Sequence, residues 1–289
     1  MVRIHTHIRL CYDVGLQGAD FVFNLQAAQT AQQRVVSEQL NLQPFWYTQE
    51  AVDPVTHNRL LRLKAPPGWL AVDYRCTVDV QHHVQAPPEV PEIPVAQLPA
   101  AVLPYLYPSR YCPSDALGAT VMGLFGALPQ GYARVQAVQA WVRQQVKFTP
   151  NTSHSGTSAL DTLRDRVGVC RDFAHLFIAL CRALNIPARF VTGTDYGADP
   201  ALGPPDFHAY VEVYLGHRWY LFDPSGTAIP MGFIRIGTGR DAADVAFATI
   251  FGAIQAAMPP LIEVRAEDDP AQGWERPVHR TEALSTAVS

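Results

Sequence analysis

The apolar residues of this 289-residue chain change from a strand-like to a helical spacing at a proline-rich segment. In the opening stretch Val2, Ile4, Ile8, Leu10, Tyr12 and Val14 occupy even positions while Arg3, His5, His7, Arg9 and Asp13 occupy odd ones. That period of two belongs to a strand with one face buried. It recurs at Leu70, Val72, Tyr74, Cys76, Val78 and Val80, with shorter runs at 21–25, 35–40 and 60–63. Residues 1–85 therefore read as an N-terminal antiparallel, β-sandwich-like domain. The prolines of 86–99 fix φ and remove backbone donors, so 86–104 reads as an extended, polyproline-like linker. Beyond it Val135, Val138, Trp141, Val142 and Val146 recur at three and four, as do Phe173, Leu176, Phe177, Leu180, Cys181 and Leu184. This is the helical period. Strands return at 188–192, 209–215 and 219–222. The fold class expected is α+β, with a second domain over 105–270 and a polar tail at 271–289.

Composition excludes several function classes. The formal net charge is −4 and the basic residues are scattered, so no nucleic-acid partner is expected. The N-terminus alternates instead of offering an uninterrupted apolar run, which argues against a signal peptide or membrane anchor and for a cytoplasmic location. Five irregularly spaced cysteines, an odd number, fit free thiols in a reducing compartment better than a disulfide framework.

Cys170 follows Gly168-Val169 at the start of the second helical pattern, three and seven residues ahead of Phe173 and Phe177. A thiol in the first turn feels unpaired N–H groups and the positive end of the helix, which favour the thiolate a nucleophile needs. The bland alternative, a buried structural cysteine, fits Cys181 on the apolar stripe. In HAYVEVYLGHRWYLFDP two strands flank Gly216-His217, a spacing that predicts a type II′ hairpin. Its register pairs Leu215 with Arg218, Val213 with Tyr220 and Tyr210 with Asp223. His208 and Asp223 then share a face as diagonal neighbours, and the aspartate can orient the imidazole. A slip of one residue would separate them. A metal site from Cys170, His175, Cys181 and His208 lacks ligand spacing, no G-x-S-x-G accompanies the serines, and no phosphate loop opens a helix. No metal or cofactor is expected. Trp141 reads as core, and the Gly/Pro-rich segment 193–206 as a rim of the cleft.

On these residues the segments SALDTLRDRVGVCRDFAHLFIALCRALNIPARFVTG and DFHAYVEVYLGHRWYLFDP resemble the bacterial transglutaminase-like superfamily, whose core is related to papain-like cysteine proteases. The resemblance spans about 105–252, and the β-rich front is similar to the domain that often precedes this core. It implies a nucleophile helix packed on an antiparallel sheet and a catalytic triad of Cys170, His208 and Asp223. It also implies amide chemistry on a peptide or amide substrate through a thioester, resolved by water or by an amine acceptor. Tyr210 stands where the family commonly has Trp. Some members of the superfamily are inactive binding modules, which is the competing expectation.

Overall fold

In the computed structural model the described residues are 1–197, 201 and 205–287. The front half contains β1 (Val2–Phe23), β2 (Gln33–Gln43), β3 (Thr48–Val52), β4 (Arg59–Ala65), β5 (Gly68–Val80) and β6 (His83–Gln85). The helical part follows with α1 (Gly118–Phe125), α2 (Tyr132–Gln145), β7 (Lys147–Phe148), α3 (Ala159–Asp165), β8 (Val167–Gly168) and α4 (Cys170–Ala183). The chain closes with β9 (Ala188–Asp195), β10 (His208–Leu215), β11 (Arg218–Phe222), β12 (Phe233–Gly239), β13 (Ala248–Ala256), β14 (Leu261–Ala266) and β15 (Ala283–Ser285). The α+β class is as expected.

Strand β1 organises the first sheet. Val2, Ile4, Ile8 and Leu10 point inward with almost no exposure, as the alternation predicts. On the outer face Arg3 lies opposite Asp79 of β5 and donates to both carboxylate oxygens at 2.7 and 2.9 Å. Strand order is β2-β5-β1-β4-β3, with β13 and β14 also on β1. The register of β1 against β13 shifts between Val14 and Ala19, where the long strand bends from one set of partners to the next.

The second sheet, in order β11-β10-β9-β12, lies between two cores. Val211, Val213 and Leu215 of β10 belong to the core built on α4, whereas Tyr210, with Val191 of β9 and Phe233 of β12, belongs to the core of the first sheet. All eight residues of β10 are consequently buried. The charge of Glu212, fully buried at this junction, meets Arg235 of β12 and accepts from Arg189 Nε at 2.7 Å. Arg235 in turn exchanges backbone hydrogen bonds with the side chain of Gln33 in the first sheet. The two sheets are thus tied by polar as well as apolar contacts.

Three segments differ from the sequence reading. The proline-rich stretch is broken by short 3-10 turns at Pro87–Glu89, Val95–Gln97 and Leu103–Leu106, and in the first and third proline's fixed φ suits the opening positions of the turn as well as an extended strap. Val90 is buried, its carbonyl accepts from Tyr132 N, and Pro91 O accepts from Gly216 N, so this segment is packed against α2 and the hairpin tip. Residues 248–266, expected with the second domain, hydrogen-bond to β1 in the first sheet. In the expected polar tail, Ala283, Leu284 and Ser285 are buried and pair with β6 as β15. A three-residue strand is too short to leave a periodic signature, which is why the tail read as unpacked.

Candidate active site

Helix α4 is enclosed, with residues 172–182 buried, and its first residue is Cys170. Phe173 and Phe177 enter the helical core and Cys170 packs at its edge, partly exposed, so the three share a face as expected. The helix start is held by Asp172, which is fully buried: one oxygen accepts from Val169 N at 2.9 Å and the other from Ser153 Oγ at 2.9 Å. The N–H groups of Cys170 and Arg171 meet no acceptor among the described residues, leaving two donors beside the thiol.

The hairpin pairs Leu215 with Arg218, Val213 with Tyr220 and Val211 with Phe222, the predicted register. Its turn differs in type: Gly216 and His217 both have positive φ, 52° and 60°, which makes it type I′ and not II′. Both turns have two-residue loops, so the register is the same. It brings His208 Nε2 to 3.4 Å from Asp223 Oδ1, an ion-pair separation without hydrogen-bond geometry. Nδ1 is then the nitrogen left to serve Cys170, whose thiol lies 3.9 Å from the carbonyl oxygen of Phe207, the residue before His208, and helps to raise the pKa of the imidazole. His208 is stacked on Phe233 with ring centroids 5.2 Å apart. Phe207 stacks on Phe247 at 4.2 Å.

Asp223 is anchored on every side. Oδ1 accepts from Ser225 N and Oγ at 3.0 and 2.6 Å, Oδ2 accepts from Ala228 N at 3.1 Å, and its carbonyl accepts from Gln139 and Arg143 of α2. Burial works against its charge, but the attraction of His208 and these hydrogen bonds outweigh it and hold the carboxyl at about 2. For His208 burial again opposes charge, and Asp223 outweighs it, holding the imidazole well above its usual range. The other thiols contrast with Cys170: Cys11, Cys76, Cys112 and Cys181 are buried, and burial pushes Cys76 up to about 11 and Cys112 up to about 12.

Trp141 packs on the helical core edge-to-face with Phe125, as expected of a core residue. Of the segment 193–206, residues 193–195 are the end of β9, while 198–200 and 202–204 lie outside the described residues, so the rim expectation falls partly outside them. Sequence reasoning missed the supporting residues. Asp172 stands three residues after the N-cap position, half of a capping box, and Ser225 stands two residues after Asp223, an Asx-turn spacing; both were readable signals. Asp195 gave none.

The model of the transglutaminase-like superfamily core matches residues 120–224, and that of the bacterial transglutaminase N-terminal domain matches residues 2–101. A solved structure from Cytophaga hutchinsonii, provisionally assigned as a cysteine protease, is 36% identical, covers 98% of this chain and 97% of its own, and superposes with a TM-score of 0.90. An uncharacterised protein of Mycobacterium leprae is 32% identical over 146 residues, 49% of this chain and 52% of its own length. One from Mycobacterium tuberculosis is 35% identical over 114 residues, 34% of this chain and 36% of its own. The chain thus spans about half or less of the curated relatives it matches. With both halves of the chain matched in order and an end-to-end relative of the same fold, the chain belongs to the transglutaminase-like superfamily.

Proposed function

We propose that this chain is a cysteine-dependent amide-bond enzyme, with Cys170 as nucleophile, His208 as general base and Asp223 as the residue that orients the imidazole. One observation carries the reading: the partly exposed thiol stands at a helix N-terminus beside a buried imidazole whose far nitrogen faces a buried, fully anchored carboxylate. His208 takes the Sγ proton, sulfur bonds to the carbonyl carbon of a peptide or carboxamide, and the oxyanion is met by the Cys170 N–H. The imidazolium then protonates the departing amine as the C–N bond breaks, leaving a thioester. Water, deprotonated by His208, forms the C–O bond and releases the thiol; an amine in its place gives acyl transfer. Five unpaired cysteines support a reducing, cytoplasmic setting for this chemistry. Among the described residues no helix is long and apolar enough to cross a membrane.

The test is intact-mass analysis of the protein incubated with peptide and carboxamide libraries plus a labelled primary amine. An acyl adduct on Cys170 is expected, with hydrolysis or amine transfer following it. His208→Ala should cost about 10²–10⁴ in turnover, and adding it to Cys170→Ala should cost nothing more, because the pair acts as a unit. Wild-type turnover by Cys170→Ala on a substrate that the parent processes refutes the assignment.

A further inference from the structure

Strand β9 places a second carboxylate near the imidazole. Gly193 lies opposite His208 in the ladder, so Asp195, two residues on, is the diagonal neighbour of His208 on the same face. Such neighbours are about 7–8 Å apart along the backbone and closer at their side chains. Position 193, directly across from His208, carries no side chain. A Cβ there would meet Ile234 O at 2.3 Å and Tyr210 Cε1 at 3.1 Å.

Asp195 is only 8% exposed, and its Oδ2 is buried without a hydrogen-bond partner among the described residues. Buried carboxylates are normally paired or hydrogen-bonded, since an unsatisfied one costs stability. The contrast with Asp223 is sharp: both oxygens there are taken by Ser225 and Ala228. Among the described residues, other elements also face the imidazole. Cys170 comes from α4, Asp223 from the end of β11, uncharged Phe233 from β12 and uncharged Tyr210 from its own strand. The next charge along β10, Glu212, is occupied by Arg189 and Arg235. Asp195 is therefore a buried carboxylate with an open oxygen, drawn toward the charge of His208.

We propose that Asp195 is a positioning residue of the site, a second carboxylate that works with Asp223 to hold His208 as imidazolium and so sets how much of Cys170 is thiolate. This rests on Cys170 and His208 being the reacting pair. Burial pushes the Asp195 carboxyl above its usual range while His208 pulls it down, so its charge and that of His208 support each other. The device lets one site tune the ion pair without touching the anchored aspartate.

The pH dependence of Cys170 alkylation by iodoacetamide, followed by mass spectrometry of its peptide, tests this without a substrate. In the parent protein, alkylation should rise once as the thiolate–imidazolium pair forms and again as the imidazolium loses its proton. Asp195→Asn should move the first rise up and the second down, each by about one pH unit, or roughly tenfold in reactivity on the acid limb. Asp195→Glu should restore most of the shift, which a merely structural role would not require. Superimposable profiles for a folded Asp195→Asn protein overturn the proposal. A parent Cys170 no more reactive than a free thiol instead sinks the reacting pair itself, so the two failures are distinguishable. If Asp195→Asn does not fold, NMR titration of the His208 imidazole in the parent decides. A separate inflection below the imidazolium titration, from Asp195, is expected, and a single step overturns the proposal.

Discussion

Replacing Asp223 with Asn keeps the shape of the side chain and removes its charge, and the structure sets the expected cost. The carboxyl is fully buried and held at about 2 against an ordinary value of 3.8. At ~1.4 kcal/mol per pH unit, that difference is worth about 2–3 kcal/mol of stability. Its folded value is depressed, so the contribution is complete above the unfolded value and is lost as pH falls from about 4 to about 2. Asparagine also has only one acceptor oxygen, whereas Asp223 accepts on both, from Ser225 on one side and Ala228 N on the other. Keeping the Ser225 bonds turns an NH2 toward Ala228 N–H and leaves that donor unsatisfied, at about 1–3 kcal/mol.

Urea denaturation at a series of pH values should therefore find Asp223→Asn less stable by about 3–6 kcal/mol at pH 7, with the gap narrowing below pH 4. His208 has the opposite sign: its folded value is raised, so its contribution is complete below about 6.5 and is lost as pH rises through the folded value. The variant should weaken that dependence too. Turnover should fall less than for His208→Ala, because the amide oxygen left near Ser225 can still face Nε2. A stability gap that stays constant from pH 7 to pH 2, or a variant as stable as the parent, would refute the reasoning.

Two further substitutions probe what supports the site. Glu212→Ala leaves the Arg235 guanidinium buried, and that of Arg189 largely buried, without the carboxylate between them, so thermal and chemical denaturation should show a loss of about 3–5 kcal/mol. Asp172→Ala removes the acceptor of Val169 N and Ser153 Oγ at the start of α4. It should cost about 1–2 kcal/mol in the same assay and slow iodoacetamide capture of Cys170, whereas unchanged capture would mean that Asp172 does not position the thiol.

What could be read in the sequence was whatever one local period or one turn determines. The even-position residues of β1 and the register of β10 on β11 are of this kind, because a strand with a buried face specifies its own register and a two-residue loop fixes that of a hairpin. The turn type was misread because glycine at the first loop position serves both II′ and I′, and only the positive φ of His217 separates them. The return of β13 and β14 to β1 was invisible for another reason. β13 is largely exposed and carries no regular period, and although Ile262, Val264 and Ala266 of β14 do alternate with exposed neighbours, a period of two marks a strand without naming its partner, here more than two hundred residues away.

The same logic explains why the hairpin showed His208 and Asp223 while Asp195 escaped notice. The hairpin is local in sequence, and its alternation places the two residues without reference to anything else. Strand β9 reaches His208 across a connection in which only part of the chain is described, and its register depends on packing against both cores at once. Phe190 of β9 faces the α4 core and Val191 the first-sheet core, so a slip of one residue would exchange an aromatic ring for a valine on both sides. That double constraint fixes Gly193 opposite His208 and therefore sets Asp195 on the imidazole's face. The front sheet is then more than an attached domain: by filling the second face of β9 and β10 it fixes the register on which the electrostatics of His208 depend. Truncation of Phe21, Phe23 or Tyr74, which share one core with Val191, Tyr210 and Phe233, should therefore disturb the pH profile of Cys170 as well as stability.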